Sequence, residues 1–101
     1  MLSRSLSATW AAHRQEPFPR SARGREVQGI DLVLLDSLTA GCIDSLAKGL
    51  VDSSKVSLLR DLAQQIGTVL PQLSVEEQGY FERLQAVANM ALGAHGVAAK
   101  P

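Results

Sequence analysis

The sequence predicts an all-α protein, a small three-helix up-down-up bundle that follows an irregular N-terminal arm. Apolar residues recur at helical spacing in three segments between Asp31 and Leu92, which is the period of amphipathic helices. Only 4% of the 101 residues are aromatic, so the core must be built mainly from Leu, Val, Ile and Ala. Such a composition favours helices over a β-sandwich.

Charge divides the chain into a basic arm and an acidic body. Residues 1–29 contain five arginines and two glutamates, a net charge of +3, whereas the rest of the chain carries −3. We predict three parts: the basic, Pro- and Arg-containing arm at 1–29, a helical domain at 30–93 and a frayed tail at 94–101. The opposite charges suggest that the arm docks on something acidic, which can be the body of the same chain.

Two prolines determine the expected conformation of the arm. Pro17 and Pro19 remove backbone donors and disfavour helix at the residues before them. We therefore expect residues 10–20 to lie across the helices as a strap, with Phe18 as the main apolar anchor and Trp10 as a second one. Burial of these two aromatic side chains roughly balances the entropy of ordering the strap, so the docking is expected to be marginal.

The first predicted helix runs from Asp31, its N-cap, to about Lys48, with Gly49 after its end. Its apolar residues cover an arc of about 180°, wider than the roughly 100° that a surface helix needs. They are Leu32, Leu34, Leu35, Leu38, Cys42, Ile43 and Leu46. The helix is therefore either central in the bundle or in contact with another chain, which predicts a homodimer or an obligate partner.

The second predicted helix covers about Ser54 to Leu70. Asp52 or Ser53 is its N-cap, and Pro71 ends it. The short segments before and after this helix favour antiparallel neighbours, which gives the up-down-up order.

The third predicted helix has the most distinctive start. Ser74 and Glu77 have the spacing of a capping box, in which each side chain accepts a hydrogen bond from the other residue's backbone N–H. The helix continues to about Gly93. The capping box and the helix dipole explain the adjacent carboxylates Glu76 and Glu77 without an acid-base role.

The residues that usually carry catalysis or metal binding are sparse. Cys42 is the only cysteine, and its place on the apolar stripe predicts a buried, inert thiol. His13 and His95 lack a second ligand one helical turn away, so we expect both imidazoles to face solvent. The prediction is no catalytic residue, no metal site and no cofactor.

The sequence also bears on localisation. The longest apolar run, Leu32–Leu35, is far shorter than the roughly 18 residues of a membrane-spanning helix. Residues 1–12 lack the apolar stretch of a secretory signal, so a cytoplasmic protein is expected. An alternative is the matrix of an organelle, because residues 1–15 are rich in Arg and Ser without acidic residues, as in transit peptides.

Nucleic-acid binding through the body is not expected. The second and third predicted helices could pass for a helix-turn-helix, but the candidate recognition helix carries Glu76, Glu77 and Glu82 against one basic residue, Arg83. These carboxylates repel phosphate where contacts are required.

The leading functional prediction is a small intracellular interaction or regulatory protein that binds another protein and catalyses nothing itself. The predicted partner-binding residues are Trp10, Phe18, Arg20, Leu35 and Leu46. One alternative is a protein that uses the arm to bind nucleic acid or an anionic membrane surface. The other is a small enzyme or enzyme subunit that uses Cys42, with His13 brought over from the arm.

Overall fold

The computed structural model describes the backbone of residues 2–94 and the side chains of residues 6–94, and it is mostly helical. In chain order its elements are α1 (Leu2–Arg14), β1 (Glu26–Val27), β2 (Ile30–Asp31), α2 (Leu32–Ala47), α3 (Ser53–Val69) and α4 (Val75–Ala94). Single turns of 3-10 helix cover Arg20–Ala22 and Leu70–Gln72. No helix among these residues is long and apolar enough to span a membrane.

The predicted all-α class is confirmed, but the structure has four helices and a small two-stranded sheet. The arm at 1–29 is therefore not irregular throughout, because it contains α1 and β1. The prolines disfavour helix only near their own positions, and α1 ends at Arg14, before Pro17. The expected fraying of residues 95–101 lies outside the described residues.

Three of the helices begin where their capping residues predict. The Asp31 side chain accepts a hydrogen bond from Leu34 N at 3.0 Å at the start of α2, and Asp52 accepts one from Ser54 N at 2.9 Å at the start of α3. At the start of α4 the capping box is formed: Ser74 N donates to Glu77 Oε1 at 2.9 Å, and Glu77 N donates to Ser74 Oγ at 3.2 Å. The three predicted N-termini are thus confirmed.

A short hairpin joins the arm to α2. Strands β1 and β2 are antiparallel, with Val27 opposite Ile30. The two residues between them, Gln28 and Gly29, have φ angles of +53° and +79°, as a type I′ turn requires. Because this turn reverses the chain, it places Asp31 at the N-terminus of α2.

All four helices contribute to one apolar core. Helices α1 and α3 each pack against both α2 and α4, and α2 and α4 also pack against each other. The largest completely buried side chain is Phe81 of α4, and α1 adds Leu6 and Trp10. Because Leu6 and Trp10 anchor α1 in this core, the last turn of α1, which carries His13, is held against Tyr80 of α4.

The wide apolar arc of α2 is divided between core and surface. Leu35 and Leu46 are buried among the other helices of the chain, whereas Leu34 and Leu38 are 55% and 42% exposed. Helix α2 packs against all three other helices, which agrees with the first of the two alternatives predicted for it, a central place in the bundle. It also leaves an apolar strip on the surface.

Candidate functional site

An aromatic cluster forms where the end of α1 and the chain after it meet α4. The rings of Trp10 and His13 are nearly parallel with centroids 5.9 Å apart, and the His13 ring lies 4.7 Å from that of Tyr80. Phe18 meets Tyr80 and Phe81 edge to face at 5.3 and 6.0 Å, a favoured geometry for aromatic pairs. The cluster thus holds all four Phe, Tyr and Trp residues of the chain.

The local sequence explains how these rings converge. Leu6, Trp10 and His13 follow one another at four- and three-residue spacing on α1, so they share one face of the helix. Beyond α1 the chain is extended near Pro17 and Pro19, and it carries Phe18 back onto α4. The helix therefore presents His13, and the strap supplies Phe18.

His13 is buried without a hydrogen bond. Its side chain is only 5% exposed, and neither ring nitrogen has a hydrogen-bond partner. Burial lowers the pKa of His13, and the nearby Asp36 carboxylate only partly opposes this effect. The expectation that His13 faces solvent is wrong, because α1 turns its imidazole into the aromatic cluster. His95 lies outside the described residues.

A hydrogen-bonded acid pair borders the imidazole. The Tyr80 hydroxyl donates to Asp36 Oδ1 at 2.7 Å. Burial raises the pKa of Asp36, although this hydrogen bond opposes the rise. Burial also raises the pKa of Tyr80, and the Asp36 carboxylate adds to that rise. The site therefore combines a neutral imidazole with a protonated phenol at neutral pH.

A second polar centre ties the segment that follows the strap to α4 through the buried carboxylate of Glu77. Ser21 Oγ donates to Glu77 Oε2 at 2.6 Å, and the Arg25 guanidinium donates to Oε1. Arg25 also donates to the carbonyl of Gln72 at 3.0 Å. Burial on its own raises the pKa of Glu77, but the hydrogen bonds from Ser21, Ser74 and Arg25 outweigh it and lower the pKa to about 2.

Two cavities lie side by side along α4. The small cavity, about 170 Å³, lies between α1 and α4 and includes His13, Ala12 and Val87 in its wall. The large cavity, about 410 Å³, lies under the strap and includes Phe18 and Tyr80. Both are also lined by Glu16 and Arg83, whose side chains form an ion pair at 3.4 Å. This pair stands between the two spaces.

The predicted partner-binding residues occupy very different places. Trp10 is buried, Phe18 is half-buried, and Arg20 is exposed beside the large cavity. Leu35 and Leu46 are only 2% and 1% exposed, so they are not available on the surface of this chain. Their Leu side chains face the other helices of the bundle, and the exposed apolar residues of α2 are Val33, Leu34 and Leu38 instead.

Cys42 is buried, as the sequence predicted. Burial raises the pKa of its thiol, and the positive charge of Lys55 only partly opposes the rise. His13 is not among the groups that shift the pKa of Cys42, and Cys42 is not among those that shift the pKa of His13. The structure therefore gives no support for an imidazole that activates this thiol. Within residues 2–94 no group of three His, Cys, Asp or Glu side chains could hold a metal ion.

Labelling of Cys42 should be slow in the native protein. A side chain that is 5% exposed and has a raised pKa offers little thiolate to a reagent. We expect labelling by a thiol reagent at neutral pH to accelerate strongly in denaturant, measured by mass spectrometry against a free cysteine. Native labelling as fast as that of the free amino acid would contradict the burial.

The sequence analysis named His13 only as a possible helper of Cys42, and it missed Glu77 and Tyr80 as site residues. A spacing pattern was present for His13, because Leu6, Trp10 and His13 fall on one helical stripe. No local signal indicated that Glu77 would also bind Arg25, which lies 52 residues earlier. Comparisons with protein-family models, with curated proteins and with solved structures give no significant match.

Proposed function

We propose that this chain is a small intracellular interaction protein that binds another protein and has no catalytic activity of its own. The proposal takes α2, α3 and α4 as the up-down-up bundle that the sequence predicts, and it takes the cytoplasm as the compartment. The observation that carries it is the apolar strip of α2, with Val33, Leu34 and Leu38 exposed by 37%, 55% and 42%.

The strip borders a groove that suits a helix. Leu34 and Leu38 line a groove of about 180 Å³ together with Ile30, Leu62 and Gln65. Leu58 precedes Leu62 by one turn of α3 and is 41% exposed, so it extends the apolar surface. An amphipathic helix can lay its apolar face into a hydrophobic groove of this kind. The proposed partner therefore presents an apolar helical face.

A homodimer through the same strip is the second candidate. Two copies of α2 can cover each other's Leu34 and Leu38, since a symmetric dimer uses the same patch on both subunits. The arm-led alternative receives less support, because three of the five arginines of the arm make contacts within the chain. Arg25 binds Glu77, Arg14 lies 3.9 Å from Asp44, and Arg23 stacks on Phe18.

The double substitution Leu34→Gln/Leu38→Gln should abolish binding without unfolding the chain. Both side chains are exposed, and Gln is a good helix former, so we expect a stability loss below about 1 kcal/mol. Affinity capture from the native organism, followed by quantitative mass spectrometry, should show at least a tenfold loss of the specific partner. For a homodimer, light scattering over a dilution series should show a dimer that becomes monomeric in the variant.

The matched control is Val75→Gln. Val75 is 87% exposed, lies at the start of α4 and does not line the groove. Capture or dimerisation should be unchanged by this substitution. The proposal fails if the double variant retains the wild-type partner and oligomeric state, or if Val75→Gln disrupts them equally.

A further inference from the structure

One face of α2, together with the two residues that cap it, carries a row whose members are separated by three and four positions in turn. The row, called the seam below, consists of Asp31, Leu34, Leu38, Gly41, Ser45 and Lys48. This spacing keeps the residues on one side of the helix and is the spacing along which two helices pack in a coiled coil. Ser45 is partly exposed and the other five residues are exposed, so the seam is open to a second chain.

The large and small residues of the seam lie in opposite halves of α2. Leu34 and Leu38 are 55% and 42% exposed, and Gly41 and Ser45 follow them. No described atom beyond the adjacent turns of α2 lies within 4 Å of the place where a Cβ would stand at Gly41. When a second copy of α2 lies antiparallel and overlaps the whole seam, Leu38 faces the partner's Gly41 and Leu34 faces the partner's Ser45. Each leucine then fills a space beside a small residue, as knobs fill holes in a coiled coil.

The two ends of the seam carry opposite charges. Asp31 lies at its start and Lys48 at its end, so the same antiparallel pairing places an aspartate beside the partner's lysine at both ends. Lys48 also pairs with Asp44 of its own chain at 2.9 Å, but an ammonium group has three donors and can contact both carboxylates. A parallel pairing would place like charges together, which is unfavourable. Charge and side-chain size therefore favour the same arrangement.

We propose that the apolar strip of α2 binds a second copy of this chain, with the two α2 helices antiparallel about a twofold axis. The seam then pairs with itself, as one patch does in a symmetric dimer. This inference rests on the proposed function, because it names the partner that Leu34 and Leu38 bind. A contact between two single helices is small, and small interfaces form weak complexes. The dimer should therefore dissociate on dilution.

Gly41→Gln should weaken the dimer at least tenfold and leave the chain folded. The glutamine side chain occupies the space that the partner's Leu38 needs, and it does so on both subunits. In the single chain this space is open, and Gln is a better helix former than Gly, so the thermal midpoint measured by circular dichroism should not fall. Sedimentation velocity of the full-length chain, over a concentration series up to about 1 mM, measures dimerisation.

The matched control is Gly93→Gln, the same substitution on α4. Gly93 is also exposed, and no described atom beyond the adjacent turns of its helix lies within 4 Å of the place of a Cβ. It is not part of the seam, so its substitution should leave dimerisation unchanged.

Charge reversal tests the direction of the two helices. Lys48→Glu should weaken the dimer about tenfold, because it places a glutamate beside the partner's Asp31 at both ends. The double variant Asp31→Lys/Lys48→Glu should restore the wild-type affinity, since each end again joins opposite charges. Asp31 also caps α2, so circular dichroism must first verify that the double variant is folded.

Three results would overturn the inference: a wild-type chain that stays monomeric up to about 1 mM, a dimer that Gly41→Gln leaves intact, or equal losses with Gly41→Gln and Gly93→Gln. A dimer that Lys48→Glu does not weaken would overturn the antiparallel pairing. A monomeric wild type that still captures a foreign partner through Leu34 and Leu38 would contradict this inference alone, whereas the proposed function fails by the capture experiment described for it.

Discussion

Glu77→Gln should lower the free energy of unfolding by about 3 kcal/mol, the lower end of the range for breaking a buried ion pair. The wild-type carboxylate is 0% exposed and accepts hydrogen bonds from Ser21, Arg25 and Ser74. Gln keeps the volume but loses the charge and one acceptor. Arg25 is 38% exposed and regains water, which limits the loss. In a chain of this size the midpoint of thermal unfolding should fall by about 15 °C.

The same carboxylate predicts a pH dependence. The pKa of Glu77 is lowered from 4.5 to about 2 in the folded chain. Its contribution to stability is therefore complete above pH 4.5 and is lost as the pH falls from there towards 2. Denaturant unfolding at several pH values measures this effect. The difference in the free energy of unfolding between wild type and Glu77→Gln should become smaller as the pH falls from 4.5 towards 2.

Glu76→Gln is the control for this substitution. Glu76 is the neighbouring residue of α4 and is exposed, so the same chemical change should cost less than about 0.5 kcal/mol. Equal effects of the two substitutions would mean that charge near the helix N-terminus, and not the buried network, determines the stability.

Trp10→Ala should lower the free energy of unfolding by about 3 kcal/mol, the usual minimum for removing a buried large aromatic side chain. Trp10 is 6% exposed, stacks on His13 and donates a hydrogen bond from Nε1 to Asp44 Oδ1 at 3.3 Å. Its removal leaves a cavity under α1. Urea unfolding followed by circular dichroism measures the loss.

Trp10→Phe provides the matched comparison. Phe preserves most of the apolar contact and loses only the hydrogen bond to Asp44, so the expected cost is about 1 kcal/mol. In the wild type, the fluorescence of this single tryptophan should be blue-shifted and protected from quenchers until the chain unfolds. A water-exposed spectrum in the native protein, with no effect of Trp10→Ala on urea unfolding, would contradict the docking of α1.

The local signals in the sequence were sufficient for three helix starts. Asp31, Asp52 and the Ser74–Glu77 box cap helices as expected, because a cap depends on residues within one turn. The burial of Cys42 was also predicted, from its place on the apolar arc of α2. That burial depends on the other helices as well, because Leu38, one turn before Cys42 on the same arc, is 42% exposed.

Helix α1 and the hairpin required the tertiary structure. Residues 2–14 include several Ser and Thr residues and a Trp, which are mediocre helix formers, and an isolated helix of 13 residues is marginal in water. Contacts of Leu6 and Trp10 with the core stabilise it. The hairpin turn uses Gln28 and Gly29, a weaker signal than the usual Asn-Gly pair.

The sequence by itself determined the helical class, the caps and the extended strap at Pro17 and Pro19, because each depends on near neighbours. Only the tertiary structure decided which half of the α2 arc is buried, since that depends on where the other helices pack. It also decided that Glu77 meets Arg25 and that His13 is enclosed without a partner. These environments arise between residues far apart in the chain, where helical periodicity carries no information.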